Sequence, residues 1–226
     1  MRDAILTYFN HQIDPAIAEN QALVVNKMIA GKNVFFQPLF YNAKDGDVYP
    51  DQVINYALNQ LFYVHDYDNV LILDIDCIPL GPQVIDYVFY RAAEGYLIGN
   101  AQRSHYIEND EHIFIGSSCL CLSRNTFERL GKPDFGPTKR GDIAEELTYR
   151  AEECGSPIEF FIPHDYEASP YGVENWALKG DLKPYGIGTT FMRTDGVHMF
   201  YHLFESRTNL NVERFVAKVA EVLNRE

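Results

Sequence analysis

Residues 70–80 read Val-Leu-Ile-Leu-Asp-Ile-Asp-Cys-Ile-Pro-Leu, and no other stretch constrains the fold as much. Four large apolar residues in a row match a short strand buried on both faces, the kind found inside a parallel sheet. Asp74 and Asp76 follow at once. Open α/β sheets bind their ligands at the carboxyl ends of the strands. Strand alternation turns residues i and i+2 to the same side, so both carboxylates can serve one cation. Two like charges beside an apolar run are costly unless something compensates them. The pair therefore reads as a divalent-metal site or as a capped strand end without chemistry.

Spacing alone does not decide between these. The chain has 16 Asp in 226 residues, and chance gives about one Asp-x-Asp at that composition. Two more triplets are present, Asp45-Gly46-Asp47 and Asp66-Tyr67-Asp68. Both lie in polar, turn-like surroundings and read as solvated loops. Only Asp74 and Asp76 are embedded in an apolar strand.

A chain of 226 residues can form one large domain with a good core. Its net charge of −13 argues against a nucleic-acid partner, which requires basic patches. The charge fits a protein that brings a cation to an anionic small ligand. Cys77, Cys119, Cys121 and Cys154 show no Cys-x-x-Cys spacing and read as ordinary buried thiols. There is no secretory leader pattern. No apolar run approaches the roughly 20 residues that span a bilayer. The expectation is a soluble, cytoplasmic protein in a reducing compartment.

Strands and helices alternate from the start. Residues 4–9 and 33–39 read as strands, with a helix at 15–30 between them that has Pro15 in its first turn and Gly31 past its end. Pro50 opens an amphipathic helix whose apolar face carries Val53, Ile54, Ala57, Leu58, Leu61 and Phe62. After the central strand come a helix at 83–93, a short strand at 96–98 ending in Gly99, and irregular sequence at 101–111. A strand at 113–122 enters a short helix at 125–130. A further helix is expected at 142–154, a strand at 158–162 stopped by Pro163, a last strand at 197–201 and a closing helix at 211–224. Residues 163–196 read as one long excursion that covers a substrate side as a mobile lid. Within it, Tyr171, Trp176 and Tyr185 are candidates for stacking on a sugar or for packing the lid onto the core. The whole pattern predicts a single α/β domain over 1–226, a mixed, mostly parallel sheet flanked by helices.

Two carboxylates do not complete a hard-cation site. Mg²⁺ takes phosphate and water oxygens as well, and Mn²⁺ also accepts imidazole. His202, where the last apolar strand gives out, is the better candidate; His198, inside that strand, reads as a core or supporting residue. Arg207 can pair with a diphosphate or be an ordinary surface Arg. Asp142 and Glu145 have capping-box spacing, with Asp in the Ser/Thr position. The alternative is a carboxylate aimed at an incoming hydroxyl, for which Asp142, Glu145 and Glu146 are the candidates.

In order along nearly the whole chain, these features resemble a GT-A glycosyltransferase. Residues 67–76, Tyr-Asp-Asn-Val-Leu-Ile-Leu-Asp-Ile-Asp, are similar to that family's strand and Asp-x-Asp motif. Residues 115–124, Ile-Gly-Ser-Ser-Cys-Leu-Cys-Leu-Ser-Arg, look like its sugar- and acceptor-lining strand. Glu146-Leu147-Thr148-Tyr149-Arg150 resembles the acceptor-side helix, and His202 before Ser206-Arg207 resembles the late metal-binding histidine. The resemblance implies a Rossmann-like fold with a donor half at 1–110 and an acceptor half at 111–226. It implies Mn²⁺ or Mg²⁺ on Asp76 and His202, with Asp74 on the metal or the donor. It implies nucleotide support from the first strand (Tyr8, Asn10) and Arg207. The reaction implied is transfer of a sugar from a UDP- or GDP-sugar to a hydroxyl of a saccharide or glycoconjugate.

One position departs from the pattern. Where many inverting members carry an Asp as base, this chain has Ala144; either the base has moved or the enzyme retains configuration. Two other readings stand beside this one. In a haloacid-dehalogenase-type phosphatase Asp74 would be the nucleophile, although that motif usually lies near the amino terminus. The other is a nucleotide-sugar-binding module without catalysis.

Overall fold

The apolar runs at 4–8 and 70–73 lie side by side within a nine-stranded sheet in a computed structural model, which describes residues 1–42, 49–104, 112–169, 176–178 and 183–225. Strand β1 (Asp3–Phe9) pairs in parallel with β2 (Val34–Phe40) on one side and β3 (Asn69–Asp74) on the other, with Tyr8 opposite Asp74. The remaining strands are β4 (Cys77–Pro79), β5 (Leu97–Arg103), β6 (Ile113–Ser123), β7 (Ile158–Asp165), β8 (Ala177–Leu178), β9 (Lys183–Pro184), β10 (Thr189–Met192) and β11 (His198–His202). The sheet order is β2-β1-β3-β6-β5-β7-β10-β11-β4, with β8 and β9 forming a separate ribbon. By their pairings β1, β2, β3, β5, β7 and β11 point one way, and β4, β6 and β10 the other.

Helices α1 (Pro15–Ile29), α3 (Pro82–Ala93) and α6 (Asn209–Leu223) cover one face; α2 (Pro50–Asn59), α4 (Arg124–Arg129) and α5 (Glu145–Glu153) cover the other. Strand β3 explains why its sequence has no alternation. Leu71 and Leu73 pack with Val24, Val88 and Phe215 on the first face, while Val70 and Ile72 pack with Ile54, Leu58 and Leu147 on the second. Helix α1 starts where expected: Asp14 accepts the Ala16 N–H, Pro15 opens the first turn, and Gly31 (φ +77°) follows the end.

Several boundaries differ from the sequence expectation. Strand β5 runs through Gly99 to Arg103. Gly99 admits a neighbour instead of ending the strand: a Cβ there would lie 1.9 Å from the Cys119 carbonyl oxygen of β6. Strand β7 runs through Pro163, which faces Phe191 where the register with β10 shifts, so the missing N–H falls in an irregular part of the ladder. The 163–196 excursion contains β10, a strand of the main sheet. Helix α5 begins at Glu145, after Ala144 in a left-handed conformation (φ +68°), later than the expected 142. Helix α2 ends in a turn of π-helix at Gln60–Val64. His198 is exposed at the start of β11, its ring 5.1 Å from that of His164, and is not in the core. Cys154, read as a buried thiol, is exposed at the end of α5; the other three are buried. The Asp45/Asp47 triplet and Tyr171 lie outside the described residues. Among the described residues no helix is long and apolar enough to cross a membrane.

Candidate metal centre

Asp74 is the last residue of β3. The chain then turns at Ile75 and Asp76, leaves the sheet centre, and returns as β4 at the far edge, paired with β11. The two carboxylates are therefore brought together by a turn and not by the pleat of one strand. Gln21 of α1 holds that turn: its buried amide donates to the carbonyls of Asp74 (2.5 Å) and Cys77 (2.8 Å). A glutamine on the buried stripe of an amphipathic helix is the sequence signal for this role.

His202 closes the group from the end of β11. It faces Cys77 across the β4–β11 pair, and the next residue, Leu203, donates its N–H to the Asp76 carbonyl (2.9 Å). The His202 Nε2 lies 3.0 Å from Asp76 Oδ1 and 3.8 Å from Asp74 Oδ2. One ligand atom from each residue lies within 4.8 Å of the others, the sole such group among the described residues. Adjacent ligands of an octahedral ion bound at about 2.1 Å are about 3 Å apart, and opposite ones about 4.2 Å. The 3.0 and 3.8 Å separations fall in that range, so two carboxylates and an imidazole fit Mn²⁺ or Mg²⁺ here.

The charges are compensated unequally. Burial pushes the Asp74 carboxyl up and the Asp76 charge adds to this, against the pull of His202 and of the Tyr8 hydroxyl. Tyr8 donates to Asp74 Oδ1 at 2.5 Å. Its own hydroxyl is held well above the ordinary tyrosine value, by burial first and then by the Asp74 charge. Asp76 is also raised by burial, but the His202 charge and hydrogen bonds from His202 and Ser206 outweigh this and hold it low. His202 Nδ1 is buried without a hydrogen-bond partner among the described residues. Its ring is instead covered by Phe204, 3.7 Å away between centroids.

The segment after His202 is strained. Phe204 and Glu205 both have left-handed backbones (φ +53° and +52°), at about 1–2 kcal/mol each for residues with a Cβ. The turn is over-determined: Gly188 N–H donates to Leu203 (2.7 Å), and Asn211 Nδ2 donates to the Glu205 carbonyl (2.6 Å). Trp176 and Tyr185 pack on Phe204 at 5.2 and 5.9 Å. Tyr185 is buried, so it braces this wall and does not offer a face to a sugar.

The three ligands lie in a cavity of about 430 Å³. Tyr8, Asn10 and Tyr41 line one part, and Asn10 Nδ2 donates to the Tyr41 hydroxyl (3.1 Å). Gln102 and Ser117 come from β5 and β6, and Glu205, Ser206 and Arg207 from the strained segment. Arg207 is exposed and makes no hydrogen bond or ion pair with the described residues.

The acidic trio does not join this wall. Glu145 is fully buried, and its carboxylate receives Ser104 Oγ (2.8 Å), the Asp142 N–H (2.7 Å) and His112 Nδ1 (2.6 Å). Glu146 accepts from Arg140 Nε (2.9 Å) and Nη2 (2.7 Å) and from Arg150 Nε (2.8 Å), beside a different cleft. Asp142 accepts the Ile143 N–H (2.7 Å), and it is Ile143 that reaches the cavity. The capping box is only half present: Glu145 reaches back, but Asp142 does not cap and the N-cap residue is Ala144.

The Arg140 hydrogen bond holds the Glu146 carboxyl below the ordinary glutamate value of 4.5, against the opposing effect of burial. Its folded value is depressed, so its stabilisation is complete above about pH 4.5 and fades as pH falls through the lowered value. Glu146→Gln is expected to reduce the urea midpoint at pH 7, with the gap to wild type narrowing as pH falls below about 4.5. Urea melts across that window check this; a gap independent of pH would refute it.

No protein-family profile and no curated protein matches this chain. Solved structures do. A glycosyltransferase involved in glycosylation of the major capsid of PBCV-1 superposes with a TM-score of 0.50 at 10% identity, over 95% of this chain and 99% of that one. A Drosophila β-1,4-galactosyltransferase 7 mutant in complex with manganese, UDP-Gal and xylobiose gives 0.48 at 15% identity, over 70% and 64%. The bifunctional IspDF of Campylobacter jejuni gives 0.44 at 10% identity, over 73% and 50%. Identities this low speak to the fold alone, and the first of these, over almost the full length of both chains, shows it. The chain has a GT-A-like α/β fold, with an Asp–Asp–His group at the carboxyl end of its central strand.

Proposed function

We propose that this protein transfers a sugar from a nucleotide-diphosphate donor, a UDP- or GDP-sugar, to a hydroxyl of a saccharide or glycoconjugate. The observation that carries this reading is the Asp74–Asp76–His202 group in the wall of the cavity that Arg207 also lines, where Arg207 makes no hydrogen bond or ion pair with the described residues. Asp76 and His202 bind the Mn²⁺ or Mg²⁺ directly, and Asp74 holds the ion or the donor sugar. When bound, the ion neutralises the diphosphate and makes it a better leaving group. Arg207 adds a second positive charge for the phosphates. Tyr8 fixes the Asp74 carboxylate, and Asn10 with Tyr41 forms the nucleotide end of the cavity.

Titration of UDP- and GDP-sugars by calorimetry, with Mn²⁺ and with EDTA, tests this directly. Binding that requires the metal is expected. Absence of metal-dependent binding for any nucleotide would refute the reading. Phosphate release from a simple phosphomonoester without glycosyl transfer would favour a phosphatase with Asp74 as nucleophile.

A further inference from the structure

We propose that Glu205 is the general base of the transfer, and that the enzyme inverts configuration at the transferred sugar carbon. This rests on the transfer reading above. A hydroxyl becomes an effective nucleophile when its proton is taken, and the base must reach that oxygen directly or through one water. The base therefore belongs to the wall of the cavity that holds the donor.

Among the described residues, that wall carries three carboxylates: Asp74, Asp76 and Glu205. Asp74 and Asp76 converge on His202 and serve the cation. His202, the one histidine in the described wall, is taken in the same way. The acidic residues of the 142–146 stretch are engaged elsewhere. Glu145 is buried under three donors, Glu146 lies between two arginines, and Asp142 turns to its neighbouring N–H. Glu205 is different. It is an exposed residue of the cavity wall, and its carboxylate has no hydrogen bond or ion pair with the described residues.

Its placement is also held. Glu205 is the second of two consecutive left-handed residues, and its carbonyl is gripped by the buried Asn211 at the start of α6. Phe204, before it, is packed against His202, Trp176 and Tyr185. Ser206, after it, bonds to Asp76. One pinned turn thus sets both the metal ligand and the free carboxylate. Strain of this kind is retained where surrounding structure enforces it, often at working sites.

In the step, the acceptor O–H gives its proton to a Glu205 carboxylate oxygen. The freed oxygen pair forms the bond to the sugar carbon from the side opposite the diphosphate. The carbon–oxygen bond to the β-phosphate breaks, and its electron pair stays on the nucleoside diphosphate. Glu205 ends protonated and releases that proton to solvent.

The test compares wild type, Glu205→Gln and Glu205→Ala. Each is given UDP-glucose, UDP-galactose or GDP-mannose with Mn²⁺ and with water as acceptor. Readouts are nucleoside diphosphate release and the anomer of the first sugar released, by NMR. Turnover is expected to fall about a thousandfold in both variants, while metal-dependent nucleotide affinity stays within about twofold. Formate is expected to restore part of the Glu205→Ala rate, and the wild-type product to be inverted. Glu205→Gln turning over within tenfold of wild type, or a retained product, would overturn the proposal alone. Wild type that neither binds nucleotide with Mn²⁺ nor turns over any donor would overturn the transfer reading and this proposal with it.

Discussion

Asp76→Ala is expected to reduce donor turnover about a thousandfold, a loss of about 4 kcal/mol of transition-state stabilisation. Asp76 is the carboxylate the fold keeps ionised, because His202 and Ser206 hold it low despite its burial. Its removal leaves the buried His202 Nε2 without its 3.0 Å partner and the cation with one direct carboxylate fewer. A thermal readout makes the effect specific. An ion at about 100 times its dissociation constant stabilises the folded state by about 2.7 kcal/mol. Mn²⁺ should therefore raise the melting temperature of wild type and leave that of Asp76→Ala nearly unchanged. Asp68→Ala is the control, since that carboxylate does not line the cavity; it accepts the Arg2 backbone N–H (2.8 Å) and lies 3.6 Å from Arg124. Equal Mn²⁺ shifts in wild type and Asp76→Ala would refute the assignment.

The second large effect is expected far from any ligand. Gly99→Ala should destabilise the protein by more than about 3 kcal/mol, read from urea melts, because it overfills a site that backbone atoms define. The added Cβ would meet the Cys119 carbonyl oxygen at 1.9 Å, the Cys119 carbonyl carbon at 2.9 Å and Ile115 Cγ2 at 2.7 Å. Neither backbone atom can be moved by a rotamer change, so β5 and β6 must separate in the middle of the sheet. Gly116→Ala is the informative comparison. Its Cβ would also meet an atom at 1.9 Å, but that atom is the end of the Gln102 side chain, which can swing away. A loss for Gly99→Ala no greater than for Gly116→Ala would show that the sheet yields.

What was legible in the sequence was whatever short-range periodicity encodes. The apolar stripe of α2, the uninterrupted run of β3 and the proline-opened starts of α1 and α2 all lie where the pattern puts them. His202 was legible too, because a polar residue where an apolar strand ends is conspicuous. Features made by distant pairing were not. The turn at Ile75 and Asp76 looked like a continued strand, since Cys77 and Ile78 are as apolar as Leu73; only the pairing of β4 with β11 shows that the chain has left the centre. Pro163 was read as a stop because a proline cannot donate to a ladder, and whether that matters depends on the register of β10. Glu205 carried no signal, being one Glu among 16, marked out by its φ and by the cavity it lines. Asp142 and Glu145 had a good spacing signal, but a left-handed Ala144 moved the helix start past it.

The β4–β11 pair also has a consequence in time. His202 follows Asp76 by 126 residues. At about 10 residues per second, a ribosome needs about 13 s to get from one to the other. Gln21, which holds the turn in the folded chain, is made before either carboxylate, and the imidazole is made after both. Strand β4 pairs with β11 alone among the described strands, so it has no place in the sheet until β11 has been made. A divalent ion held by all three residues would therefore mark a chain in which β11 has already docked beside β4.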